Sequence, residues 1–130
     1  MKIFYIYIKA LCLLCSLFFV NDVFSANWYE GGNLHQASVK AWRESSYSNR
    51  LATAADWFVS ITKEHNPKLK KQMDSLSAYK YLSALKKHAV RLEKCVSETA
   101  SLKSENGVVF KADDKIAEVA SLCYILMYVQ

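Results

Sequence analysis

With one proline and three glycines in 130 residues, the chain is too poor in turn formers for a collagen, a flexible linker or a turn-rich β protein. Its length allows one domain and excludes a multidomain assembly in one chain. Charge of either sign is modest: 17 Lys and Arg against 12 Asp and Glu, a net +5 that selects no partner by itself. The three histidines, His35, His65 and His88, are scattered, and none falls in an HxxxH or HExxH spacing. After residue 25 no CxxC pair accompanies them, so no zinc or other metal site is expected there. A Gly-rich phosphate loop is missing, and so is any recognisable nucleic-acid-binding motif. Ser77-x-x-Lys80 and Ser83-x-x-Lys86 match the spacing of penicillin-binding enzymes, but the companion Lys-Thr-Gly and Ser-Asp-Asn motifs do not occur. These absences predict a non-enzymatic protein without a cofactor. The competing expectation, a small exported enzyme, would have to use His35 or His88.

What the chain does have is apolar side chains, 52% of the total, in two unlike segments. Lys2 and Lys9 precede an unbroken apolar or small-residue run, Ala10–Val20. As a helix this run spans roughly 16 Å, about half of a ~30 Å hydrocarbon core. Val23 and Ser25 fit the −3 and −1 positions of a signal-peptidase site. Residues 1–25 are therefore expected to be a cleaved signal peptide and 26–130 a single helical domain, periplasmic or secreted, with no stable membrane span after processing. Cys12 and Cys15 would leave with the signal. Cys95 and Cys123 would remain, and in an exported chain an even pair is expected to be joined.

Periodicity predicts an all-α bundle of four to five helices closed by that interhelical disulfide. Asn33 is expected to cap a helix from Leu34 to about Glu44, with Leu34, Ala37, Ala41 and Trp42 inward. A second runs from about Ser48 to Lys63, its inner positions Leu51, Ala54, Ala55, Phe58 and Thr62 at 3–4 spacing. Asn66-Pro67 stops it and starts a short basic helix over Lys68–Met73. Asp74 or Ser75 then caps the longest helix, Leu76 to about Ala100, whose stripe is Ala78, Leu82, Leu85, Ala89, Leu92 and Val96. Asn106-Gly107 marks a turn, and Val108–Phe110 is expected to be extended and to close over the core. Asp113 or Asp114 caps a last helix reaching about Tyr128, with Ile116, Val119, Ala120, Cys123 and Met127 inward.

Three surfaces are candidates for function. Trp28, Tyr29, Gly31, Gly32, His35 and Trp42 form the most distinctive run, either an aromatic pocket with His35 at its rim or simple pinning of the N-terminal arm. Lys80, Lys87, Arg91 and Lys94 fall within about 60° of one another on the long helix. That face would suit an anionic partner, such as phospholipid head groups, a wall polymer or an acidic protein, or it is an ordinary solvated face. Leu122–Val129 is apolar or aromatic throughout. Such a helix is buried on every side, or else Tyr124 and Tyr128 form an exposed patch for dimerisation or for binding another protein.

The run NWYEGGNLHQASVKAW, with NRLATAADW and AEVASLCYILM, resembles a group of short exported bacterial proteins that share a WYxGGxLH-type N-terminus and an AxxCxxLM-type C-terminal helix. The resemblance implies bacterial origin and export, and carries no activity with it. Size, helicity, export and one interhelical disulfide are also similar to periplasmic acid-stress chaperones of the HdeA/HdeB type, although no motif of that family matches residue by residue. The leading expectation is thus an exported helical protein that binds another macromolecule, an unknown protein or envelope component.

Overall fold

The computed structural model describes residues 27–104 and 107–129. The expected signal peptide, its cleavage site and Asn106 lie outside the described residues. Among these residues the domain is all-α, with five helices and one two-residue hairpin. The helices are α1 (Val39–Glu44), α2 (Tyr47–His65), α3 (Pro67–Asp74), α4 (Ala78–Thr99) and α5 (Ile116–Tyr128). Strands β1 (Lys103–Ser104) and β2 (Gly107–Val108) pair antiparallel between α4 and α5. No helix among the described residues is long and apolar enough to cross a membrane.

Local chemistry sets most boundaries. Ser46 accepts the Asn49 N–H and starts α2. Asn66 does double duty, as expected: its N–H closes the last turn of α2 on the Thr62 carbonyl, and its side chain accepts the Leu69 N–H ahead of Pro67. Three expected caps are displaced. Ser38, not Asn33, caps the first helix, because 37–38 is drawn out straight by backbone bonds to the segment before α5. Val39 N–H donates to Asp114 O at 2.8 Å, and Ile116 N–H donates to Ala37 O at 3.1 Å. Asn33 instead pairs with Asn49 at 2.8 Å. Asp74 ends α3 in an ion pair with Lys70, so α4 begins later, behind Ser77. Asp114 accepts the Lys111 N–H at 2.7 Å and closes a turn, leaving Lys115 as the residue before α5.

Side-chain registers give the helix directions. Arg50 meets Glu93 and Phe58 meets His88, so α2 and α4 run antiparallel. Cys95 meets Cys123 and His88 meets Tyr128, so α4 and α5 are antiparallel as well. Thr62 meets Tyr124 and Asn66 meets Tyr128, so α5 lies parallel to α2. The core forms where these three helices converge: Leu51, Ala54, Ala55, Phe58 and Thr62 from α2, Leu85, Ala89, Leu92 and Val96 from α4, and Ile116, Val119, Ala120 and Cys123 from α5 are all buried. Within the helices the predicted stripes hold except at Ala41 in α1 and Ala78 at the start of α4, which are exposed, and at Leu82 and Met127, which are half-buried. The expected lid over the core is also corrected: Val108 and Val109 are exposed, and only Phe110 packs against the core.

The Cys95–Cys123 disulfide ties α4 to α5, with its Cα atoms 6.0 Å apart. A polar chain crosses the opposite side of α4. Trp42 Nε1 donates to Ser97 Oγ at 3.0 Å, Ser97 donates to Glu93 Oε1 at 2.9 Å, and Arg50 Nε donates to the same oxygen at 2.8 Å. Glu93 is buried, so this pairing satisfies a carboxylate that would otherwise be costly to desolvate.

Candidate functional site

The N-terminal run is held by packing and backbone contacts. Gly31 has φ +80°, a left-handed conformation suited to glycine. At Gly32 a Cβ would come within 2.5 Å of Thr53 N, so the arm lies backbone-on-backbone against α2. Leu34 N–H donates to Thr53 Oγ1 at 3.3 Å and locks that approach. Trp28 and Tyr29 meet edge to face at 5.4 Å and are half-buried. Trp42 is fully buried and stacks on Trp57, whose centroid is 5.4 Å away. His35 Nε2 lies 3.0 Å from Asp56 Oδ2 on the exposed side, its ring edge-on to Trp57. The glycines and tryptophans thus pin the arm, and His35 stays half-exposed beside them.

The basic face divides. Lys94 pairs with Glu98 one turn on, at 3.9 Å, and belongs to ordinary helix-surface pairing. Lys80, Lys87 and Arg91 line a groove of about 500 Å³ whose apolar floor includes Leu76 and Ala84. His88 lies at its inner edge.

On α5 the sequence expectation is overturned in both of its forms. Tyr124 is fully buried, its hydroxyl 2.8 Å from Thr62 Oγ1. Tyr128 is half-buried, with its hydroxyl 2.8 Å from His88 Nδ1. Neither tyrosine forms an exposed apolar interface, because both point between α2 and α4. The helix is not buried all round either. Leu122, Ile125, Leu126 and Val129 are 42%, 53%, 62% and 53% exposed. They recur at i, i+3, i+4 and i+7, so they make one continuous outer stripe. Beside it, Ile61, Ile125 and Val129 line a groove of about 490 Å³ between α2 and α5, with Glu64 and His65 at the edge.

The structure also assembles a group that periodicity alone did not mark. Phe58 stacks on the His88 imidazole at 4.4 Å, Tyr128 bonds its Nδ1, and the Arg91 guanidinium lies 5.8 Å from the Tyr128 ring centre. The one signal in the sequence is the position of His88, between Leu85 and Ala89 at the margin of the apolar stripe of α4. Burial, and secondarily the Arg91 charge, lowers the His88 pKa below its ordinary 6.5. Burial raises that of Tyr128, which keeps the phenol protonated, and the Arg91 charge partly opposes the shift. In the tautomer protonated at Nε2, the phenol donates to His88 Nδ1; charging the ring makes both nitrogens donors and breaks that arrangement. The unfolded chain binds this proton more readily than the folded one. The stability linked to His88 is therefore complete above about pH 6.5 and is lost as pH falls through the lower native value. A ring-proton NMR titration should place the His88 midpoint below 6.5, and His88→Gln should flatten the fall in unfolding free energy between pH 7 and 5. A midpoint at or above 6.5 contradicts the assignment.

Among the described residues no group of His, Cys, Asp or Glu could hold a metal ion. No protein-family profile matches the chain, no curated protein is significantly similar to it, and no solved structure matches its fold at a significant level.

Proposed function

We propose that the protein is an exported, non-enzymatic helical binding protein of the bacterial envelope, and that it holds another protein through the outer face of α5. The observation that carries this reading is the stripe of Leu122, Ile125, Leu126 and Val129, each at least two-fifths exposed on a helix whose other face fills the core. Isolated exposed leucines are unremarkable in a soluble domain, but four on adjoining turns form the pattern by which a helix is read in a partner's groove. The Cys95–Cys123 disulfide suits an oxidising compartment, and the apolar run before residue 26 suits export.

The reading is tested with a photo-crosslinking residue at position 126 of the full chain, expressed in bacteria. A discrete adduct is expected, and Ile125→Lys with Leu126→Lys should reduce it at least tenfold. Both side chains are exposed, so the double variant should unfold within a few degrees of the parent. A chain that forms no adduct and stays monomeric at high concentration overturns the proposal.

A further inference from the structure

We propose that the outer face of α4 docks on an anionic phospholipid surface. From Ala78 to Leu92 this helix carries Lys80, Lys86, Lys87 and Arg91 and no carboxylate. Three lysines pair with a carboxylate one turn on in their own helix: Lys40 with Glu44, Lys70 with Asp74 and, in the last turns of α4, Lys94 with Glu98. The stretch from Ala78 to Leu92 differs from the other helices in offering its cations no carboxylate at all. Among the described residues none of Lys80, Lys86, Lys87 and Arg91 has such an ion pair. Two instead lie over aromatic rings, Lys86 at 5.8 Å from the Trp28 centroid and Arg91 at 5.8 Å from that of Tyr128, contacts that leave their charge intact.

The arrangement favours a surface over a single anion. Lys80 and Arg91 are separated by three turns, roughly 16 Å along the axis, too far to converge on one phosphate but suited to several head groups side by side. Apolar groups are interleaved with the charges. Tyr79 is 84% exposed, Val90 is 37% exposed, and Leu76 forms part of the groove between Tyr79 and the lysines. An exposed tyrosine beside lysines with long apolar stems matches the chemistry of the water–lipid boundary, where ring and stem are desolvated while the charges meet phosphates. A fully hydrated polyanion would leave Tyr79, Val90 and Leu76 without such an environment.

The test uses the full chain and co-sedimentation with vesicles of phosphatidylcholine alone or with about one-third phosphatidylglycerol. The readout is the ratio of the two partition coefficients, in which apolar contributions common to both surfaces cancel. Each cation near an anionic surface contributes about fivefold. Lys80→Gln with Lys87→Gln should therefore lower the ratio about 25-fold, and adding Arg91→Gln should bring the total loss to on the order of 100-fold. The double variant leaves the Arg91–Tyr128 contact in place, so it remains informative if the triple variant folds poorly. Raising the salt to 1 M should abolish the preference for the charged vesicles. A ratio near one for the parent, or one unchanged in the double variant, overturns the proposal. So does saturable binding of inorganic phosphate or of heparin without any preference for the charged vesicles, which would assign the face to a free phosphate or to a soluble polyanion.

Discussion

Replacing Trp42 by alanine is expected to lower the unfolding free energy by about 4 kcal/mol, the range for deleting a fully buried indole. Among the described residues Trp42 is the largest fully buried side chain, and it does two things at once. Its ring stacks on Trp57 and holds α1 against α2, while its N–H enters the Ser97–Glu93–Arg50 chain that links α2 to α4. Alanine removes the stacking, leaves a cavity and withdraws a donor from a part-buried polar chain. Against the ~5–15 kcal/mol typical of a domain, this is a large share, and the midpoint of thermal unfolding should fall by about 15–30 °C. Trp42→Phe separates the two contributions. It keeps most of the ring contact and loses the hydrogen bond, so it should cost only about 1–2 kcal/mol. Calorimetry of both variants checks this, and an alanine variant within about 1 kcal/mol of the parent would mean that the α1 corner contributes little to the cooperative unit.

Reducing the disulfide should have an effect of similar size by another route. Cys95 and Cys123 are 28 positions apart, and closing a loop of that length restricts the unfolded chain by roughly 3.5 kcal/mol in the chain-entropy description. Between the ends of α4 and α5 the loop holds the β1–β2 pair and the turn before α5, and Val108 and Val109 there are exposed. The urea midpoint of the reduced protein should fall by about 1–3 M relative to the oxidised protein, with a steeper dependence on denaturant if the freed loop exposes more surface. Equal midpoints would show that packing of Val119, Ala120 and Tyr124 alone holds α5 in place.

Helix content, the Asn66-Pro67 hinge and the pairing of Cys95 with Cys123 were legible because each rests on neighbours in the chain or on a simple count. Leu51, Ala54, Ala55 and Phe58 declare an inner face by spacing alone, and so do Leu85, Ala89, Leu92 and Val96. The caps before α1, α4 and α5 were not legible. In each case a local cap was outcompeted, twice by backbone or side-chain bonds to distant or neighbouring turns and once by the Lys70–Asp74 pair. The buried Arg50–Glu93 pair was hidden for a different reason. Its partners are 43 residues apart, and no periodicity within one helix marks a glutamate for burial.

The last helix divides the two kinds of information most clearly. From composition, Leu122–Val129 is uniformly apolar, and no inner face can be chosen when every face is greasy. Tertiary structure made the choice: the disulfide at Cys123 fixes the rotation of α5 about its axis, and hydrogen bonds from Tyr124 to Thr62 and from Tyr128 to His88 give the tyrosine hydroxyls partners only on the α2–α4 side. Leu122, Ile125, Leu126 and Val129 then face outward because the polar requirements of the tyrosines outweigh the small differences in apolar burial. The sequence alone determined that residues after 26 fold as helices with Cys95 joined to Cys123. Which of its apolar faces stays exposed was decided only when three helices had to satisfy their buried hydroxyls at once.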